Sequence, residues 1–104
     1  MKNNGKNNIA VFKSVIKSLV SDAIVEVEGA EVADVKLAKK NGVEVDFLEN
    51  DKVSVHISIV VELGYTVPAI VAAVQERVKG EIENATRFRV ASIDVEVVSV
   101  SIPQ

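Results

Sequence analysis

The chain has 104 residues, 48% of them hydrophobic, 4% aromatic and 26% charged, with a net charge of −3 and no cysteine. That length supports one hydrophobic core rather than two, and the missing cysteine excludes disulfides, thiolate metal sites and cysteine nucleophiles. The mild acidity argues against a nucleic-acid binder driven by charge alone, and the core must be built from Val, Ile, Ala and Leu around Phe12, Phe47 and Phe88.

Residues 1–8 are polar and Asn-rich after Met1, so they cannot offset their ordering entropy and are expected to form a flexible tail ahead of a single domain over 9–104. Their lysines resemble the start of an export signal. The stretch from Ile9 is amphipathic and lacks a small-residue cleavage site, so cytoplasmic residence is expected. Along it, Phe12, Val15, Ile16, Leu19, Val20, Ala23 and Ile24 recur at steps of three and four, with Lys and Ser between them. This spacing predicts an amphipathic helix capped by Asn8 and ending near Gly29.

Val32 to Ala38, followed by Lys39-Lys40-Asn41-Gly42, is ambiguous: a short Val35–Leu37 strand closed by the Asn41-Gly42 turn signal and a plain loop are both consistent with it. Val43, Val45 and Phe47 then alternate with polar residues, Glu49–Lys52 turns, and Val53, Val55, Ile57, Ile59 and Val61 alternate again. The pattern predicts an antiparallel hairpin. Gly64 and Thr66 end the long strand, and Pro68 fits the first turn of a second helix. Val67, Ile70, Val71, Val74, Val78, Ile82 and Ala85 form its apolar stripe. Gly80 stands on its polar side, a cost of about 1 kcal/mol relative to Ala that close approach by a partner would explain.

A last strand runs from about Val90 to Ile102. Its phase changes after Val97, where Val98, Val100 and Ile102 take over the apolar set, so a bulge near Val97-Val98 would restore one buried face. The order is α-β-β-α-β. It predicts an α+β fold with two helices on one face of a three-stranded, mostly antiparallel sheet.

On the sheet face away from the helices, the alternation places Glu44, Asp46, Ser54, His56, Ser58, Asp94 and Glu96, together with apolar Leu48, Val60 and Val98. An uncovered face that mixes apolar and charged side chains invites a partner, and Leu48, Val60, Val98, His56, Asp94 and Glu96 are the expected interface. His56 among Glu44, Asp46, Asp94 and Glu96 matches no metal-ligand spacing, and Ser54 and Ser58 beside it lack a nucleophile turn or oxyanion hole. No glycine pattern cradles phosphate. Neither enzyme chemistry, nor a cofactor, nor a metal is expected. An alternative is an RNA-associated α/β module using Lys36, Lys39, Lys40, Arg87 and Arg89, though it lacks a G-x-x-G clamp and stacking aromatics.

Several segments in order, Val27-Glu28-Gly29-Ala30, Val60-Val61-Glu62-Leu63-Gly64 with Val67-Pro68, Val74-Gln75-Glu76-Arg77-Val78-Lys79, and Ala85-Thr86-Arg87-Phe88-Arg89-Val90 leading to Ile93-Asp94-Val95-Glu96-Val97, resemble the alkaline shock protein family, also called YloU-like. The similarity covers nearly all of Ile9 to Val100. It departs from the family where Val27-Glu28-Gly29-Ala30 replaces Val-Pro-Gly-Val and Leu63-Gly64 replaces Tyr-Gly. The resemblance implies a non-enzymatic cytoplasmic protein of cell-envelope homeostasis or stress. It also implies self-association into a homo-oligomer and a place near the membrane through protein partners, such as a membrane-anchored envelope protein or a paralogue.

Overall fold

The computed structural model describes residues 4–34 and 42–103, with side chains from residue 9. The elements are α1 (Asn4–Val25), β1 (Ala30–Val32), β2 (Val43–Leu48), β3 (Lys52–Glu62), α2 (Val67–Ala85) and β4 (Arg89–Ser101). The α+β class and the two helices agree with the periodicity. The first helix begins at Asn4 instead of after an Asn8 cap. Among the described residues the sheet has four strands, because Ala30–Val32 adds a short one. The Val35–Leu37 strand and the Asn41 turn lie outside the described residues.

β3 is the central strand. On one edge it pairs antiparallel with β2 along its first half and with β1 near its end, while the other edge pairs with β4 in parallel. Parallel neighbours need a crossover, and α2 supplies it. The β2–β3 turn holds Asn50 and Asp51 at φ 64° and 57°, a left-handed conformation that Asn and Asp tolerate better than other side chains. In the β3–β4 ladder, Ile59 faces Val97 and Val60 faces Ser99, so Val98 is the extra residue of a bulge and Val100 becomes the register partner of Val61. The phase change read after Val97 is that bulge.

The ends of β1 and β2 meet at one residue. The Ser58 carbonyl accepts the Ala33 N–H at 2.9 Å, and the Ser58 N–H donates to the Gly42 carbonyl at 2.8 Å. Gly42 is required there, since a Cβ would lie 2.5 Å from the Ala33 carbonyl oxygen.

Both helices pack on one sheet face. Ile16, Val20, Ala23 and Ile24 of α1 and Ile70, Val74, Val78 and Ile82 of α2 meet Val43, Val45, Val53, Val55, Ile57, Ile59 and Val61 in one buried cluster. Phe88 closes one end of it, with Phe12 edge-on at 5.6 Å and Phe47 tilted at 5.3 Å between ring centroids. Thr66 stands at the N-cap of α2 without a side-chain cap bond, and proline occupies the first turn. Gly80 has no heavy atom within 4 Å of where a Cβ would sit, so close approach within the described chain does not explain it.

Gly29 ends the turn after α1 at φ +91°, and a Cβ there would come within 2.7 Å of Tyr65 Cγ. Two penalties coincide, backbone strain and a ring collision. Gly29→Ala is expected to cost about 1–3 kcal/mol, whereas Gly64→Ala, at φ +106° but facing open space, should cost about 1 kcal/mol. Parallel thermal unfolding of the two variants checks the difference.

Candidate functional site

The sheet face opposite the helices carries what alternation placed there. His56 is the register neighbour of Glu44 and of Asp94, and its Nε2 lies 3.7 Å from Glu96 Oε1. Ser54 and Ser92 share a 2.6 Å hydroxyl hydrogen bond. The expected residues His56, Asp94 and Glu96 therefore stand together, on a polar, acidic surface.

The apolar members do not join them. Leu48 pairs with Lys52 at the start of β3 and Val60 lies near its end, roughly 26 Å apart at ~3.3 Å per residue. Val60 sits between Glu31 of β1 and Ser99 of β4 and is only 7% exposed. Val98 is half-buried at the bulge. Leu48, Val60 and Val98, expected among the charged residues of this face, are thus one exposed residue at a far end, one core-like residue and one bulge residue.

The arrangement around His56 does not build a nucleophile. Ser54 spends its hydroxyl on Ser92, and Ser58 is buried. Among the described residues, no group of three or more His, Cys, Asp or Glu residues is placed to hold a metal ion, and no buried side-chain polar atom lacks a hydrogen-bond partner. Of the basic residues considered for RNA, Lys36, Lys39 and Lys40 lie outside the described residues. Arg87 pairs with Asp51 at 3.4 Å and stacks over Phe12 and Phe88, while Arg89 pairs with Glu83 at 3.8 Å. Arg77 is held by Glu26. Carboxylates offset each of these arginines.

A second surface arises from topology. The ends of β3 and β4 point the same way, and the Leu63 N–H donates to the Ser101 carbonyl at 2.7 Å. This brings exposed Leu63 and Tyr65, from the β3–α2 connection, and Val67, at the start of α2, to the end of the sheet where Val100 of β4 and Ile102 just beyond it are exposed. Leu63 is 59% and Ile102 75% exposed. Glu28 and Glu62 border this end. The Tyr65 phenol is held protonated above its usual range by desolvation first, then by the Glu28 and Glu62 carboxylates and a hydrogen bond with Glu28. The end is apolar with an acidic rim.

No helix among the described residues is long and apolar enough to cross a membrane. Compared with known proteins, residues 1–102 match the family model of the alkaline shock protein 23 family, whose description is a cell envelope-related function. No curated protein and no solved structure matches the chain.

Proposed function

The chain belongs to the alkaline shock protein 23 family, of cell envelope-related function, and on that premise we propose that it is a non-enzymatic interaction module that self-associates and docks to a membrane-associated protein from the cytoplasmic side. The observation that carries this reading is the apolar end formed by Leu63, Tyr65, Val67, Val100 and Ile102. A cluster of large exposed apolar side chains inside a polar rim marks an interaction surface. The sign of the rim selects the occupant. Glu28 and Glu62 oppose anionic lipid headgroups and suit an apolar segment of a protein flanked by Lys or Arg.

Local geometry weighs against catalysis: the Ser54 hydroxyl is taken by Ser92, and His56 faces a carboxylate. Leu63, Tyr65 and Val67 replace Leu48, Val60 and Val98 as the apolar anchors, while His56, Asp94 and Glu96 remain on an open polar face.

Membrane fractionation of native cells tests the docking. Wild-type protein is expected in the membrane pellet, to be released when surface proteins of those membranes are digested, and not to bind phosphatidylglycerol vesicles. Binding to the vesicles, or retention after digestion, would replace a protein partner with lipid. Equilibrium sedimentation of the purified chain tests self-association. A strict monomer up to about 100 μM, where even a weak complex of ~−5 kcal/mol becomes visible, would remove that half of the reading.

A further inference from the structure

The outer edge of β4 is a second surface, separate from the apolar end. Alternate residues of a parallel strand turn both backbone groups to the same side, and the hydrogen bonds fix which side here. The Ser58 N–H and C=O and the Glu62 N–H all go toward β1 and β2, so the odd-numbered residues of β3 face β4. Val55, Ile57 and Ile59 are the register partners of Ile93, Val95 and Val97, which places Ser92, Asp94 and Glu96 in the ladder. Ile93, Val95 and Val97 turn their N–H and C=O groups to the free edge.

Helix α2 ties down only the start of that edge. The Val90 N–H donates to Glu83 Oε2 at 2.9 Å, and Gln75 Nε2 donates to the Ile93 carbonyl at 3.1 Å. Beyond Ile93, no strand among the described residues pairs with the outer side of β4. Regular, unpaired strand edges are templates for another strand.

Side chains along the edge specify what that strand carries. On the outer face, Asp94 and Glu96 are exposed two residues apart. On the helix side, a groove of about 450 Å³ lies between α2 and the start of β4, with Ala72, Gln75, Glu76 and Lys79 of the helix and residues 90–93 of the strand in its wall, so it meets the free part of the edge at Ile93. We propose that this edge captures an extended segment of a protein partner as an added strand, one that alternates Lys or Arg facing Asp94 and Glu96 with small apolar residues on the helix-covered side of the sheet. Opposite charges across neighbouring strands stabilise pairing, and like charges oppose it.

The same rule disfavours a second copy. Pairing two β4 edges antiparallel about Val95 sets Asp94 against Glu96 twice, and the next register sets Glu96 against itself. β1 and β2 present Glu31, Glu44 and Asp46. Strand capture does not depend on the apolar end, and the two surfaces are separable by mutation.

The test is titration of the isotope-labelled full chain with the peptide acetyl-Thr-Lys-Val-Arg-Val-Lys-Thr-amide, followed by NMR. Amide shifts are expected at Ile93, Val95 and Val97, with a dissociation constant below about 1 mM that weakens as salt is raised. Asp94→Lys with Glu96→Lys should weaken binding at least about tenfold through lost charge pairs. Val97→Pro should do the same, because it deletes an outward N–H that β3 does not use. Leu63→Glu with Ile102→Glu should leave peptide binding intact. Absence of binding, shifts away from β4, equal binding of the peptide with Glu in place of Lys and Arg, or unchanged affinity in the folded double charge-reversal variant would each overturn the proposal.

Discussion

Phe88→Ala is expected to lower the unfolding free energy by about 3–5 kcal/mol. The ring is buried, meets Phe12 and Phe47, and lies under the Arg87 guanidinium at 5.0 Å. Its loss opens a cavity where α1, the β2–β3 hairpin and the start of β4 converge. It also removes two aromatic pairs worth about 0.5–1.5 kcal/mol each beyond their burial. A domain of this size has a total margin on the order of 5–15 kcal/mol, so the variant should melt roughly 15–30 °C lower at the usual few degrees per kcal/mol. Calorimetry decides the matter. A loss of less than about 1 kcal/mol would mean that this end of the core repacks, and that Phe88 is dispensable to it.

The largest functional effect is expected from Leu63→Glu combined with Ile102→Glu. Burying each native side chain against a partner contributes about 1.5–3 kcal/mol, and the new carboxylates add to the negative rim of Glu28 and Glu62. Loss of both anchors should weaken membrane association at least about a hundredfold, since each 1.4 kcal/mol is a factor of ten. Folding should change little, within about 0.5 kcal/mol, because both residues are exposed and surface substitutions seldom do more. Leu48→Glu, 47% exposed at the opposite end of the sheet, is the matched control. If it releases the protein from membranes as effectively while the double variant stays bound, the docking surface is at the wrong end.

The helices and the hairpin were legible in the sequence because their apolar residues recur at 3.6 and 2 over long stretches. The bulge was legible too, since the phase change after Val97 has no other economical explanation. Ala30–Val32 was not. A strand of three residues carries no usable periodicity, and its pairing with Val61, Val60 and Ile59 is set by the chain's return across the sheet. The same cause hid the burial of Val60. Alternation assigns a face, but the flanking of Val60 by Glu31 and Ser99 depends on which strands become neighbours.

The candidate surface divides along the same line. His56, Asp94 and Glu96 were placed together correctly because period two alone fixes their face. The apolar end was missed because its members come from the β3–α2 connection and the end of β4, which only a parallel β3–β4 pairing unites. The signal available was the excess of Val100 and Ile102 beyond the reach of the helix stripes.

Because Ala33 and Gly42 are both pinned to Ser58 of β3, the chain length between them has no bearing on strand register. Ser58 of β3 is therefore a common anchor, holding the exit of β1 and the entry of β2 on the same edge of the sheet.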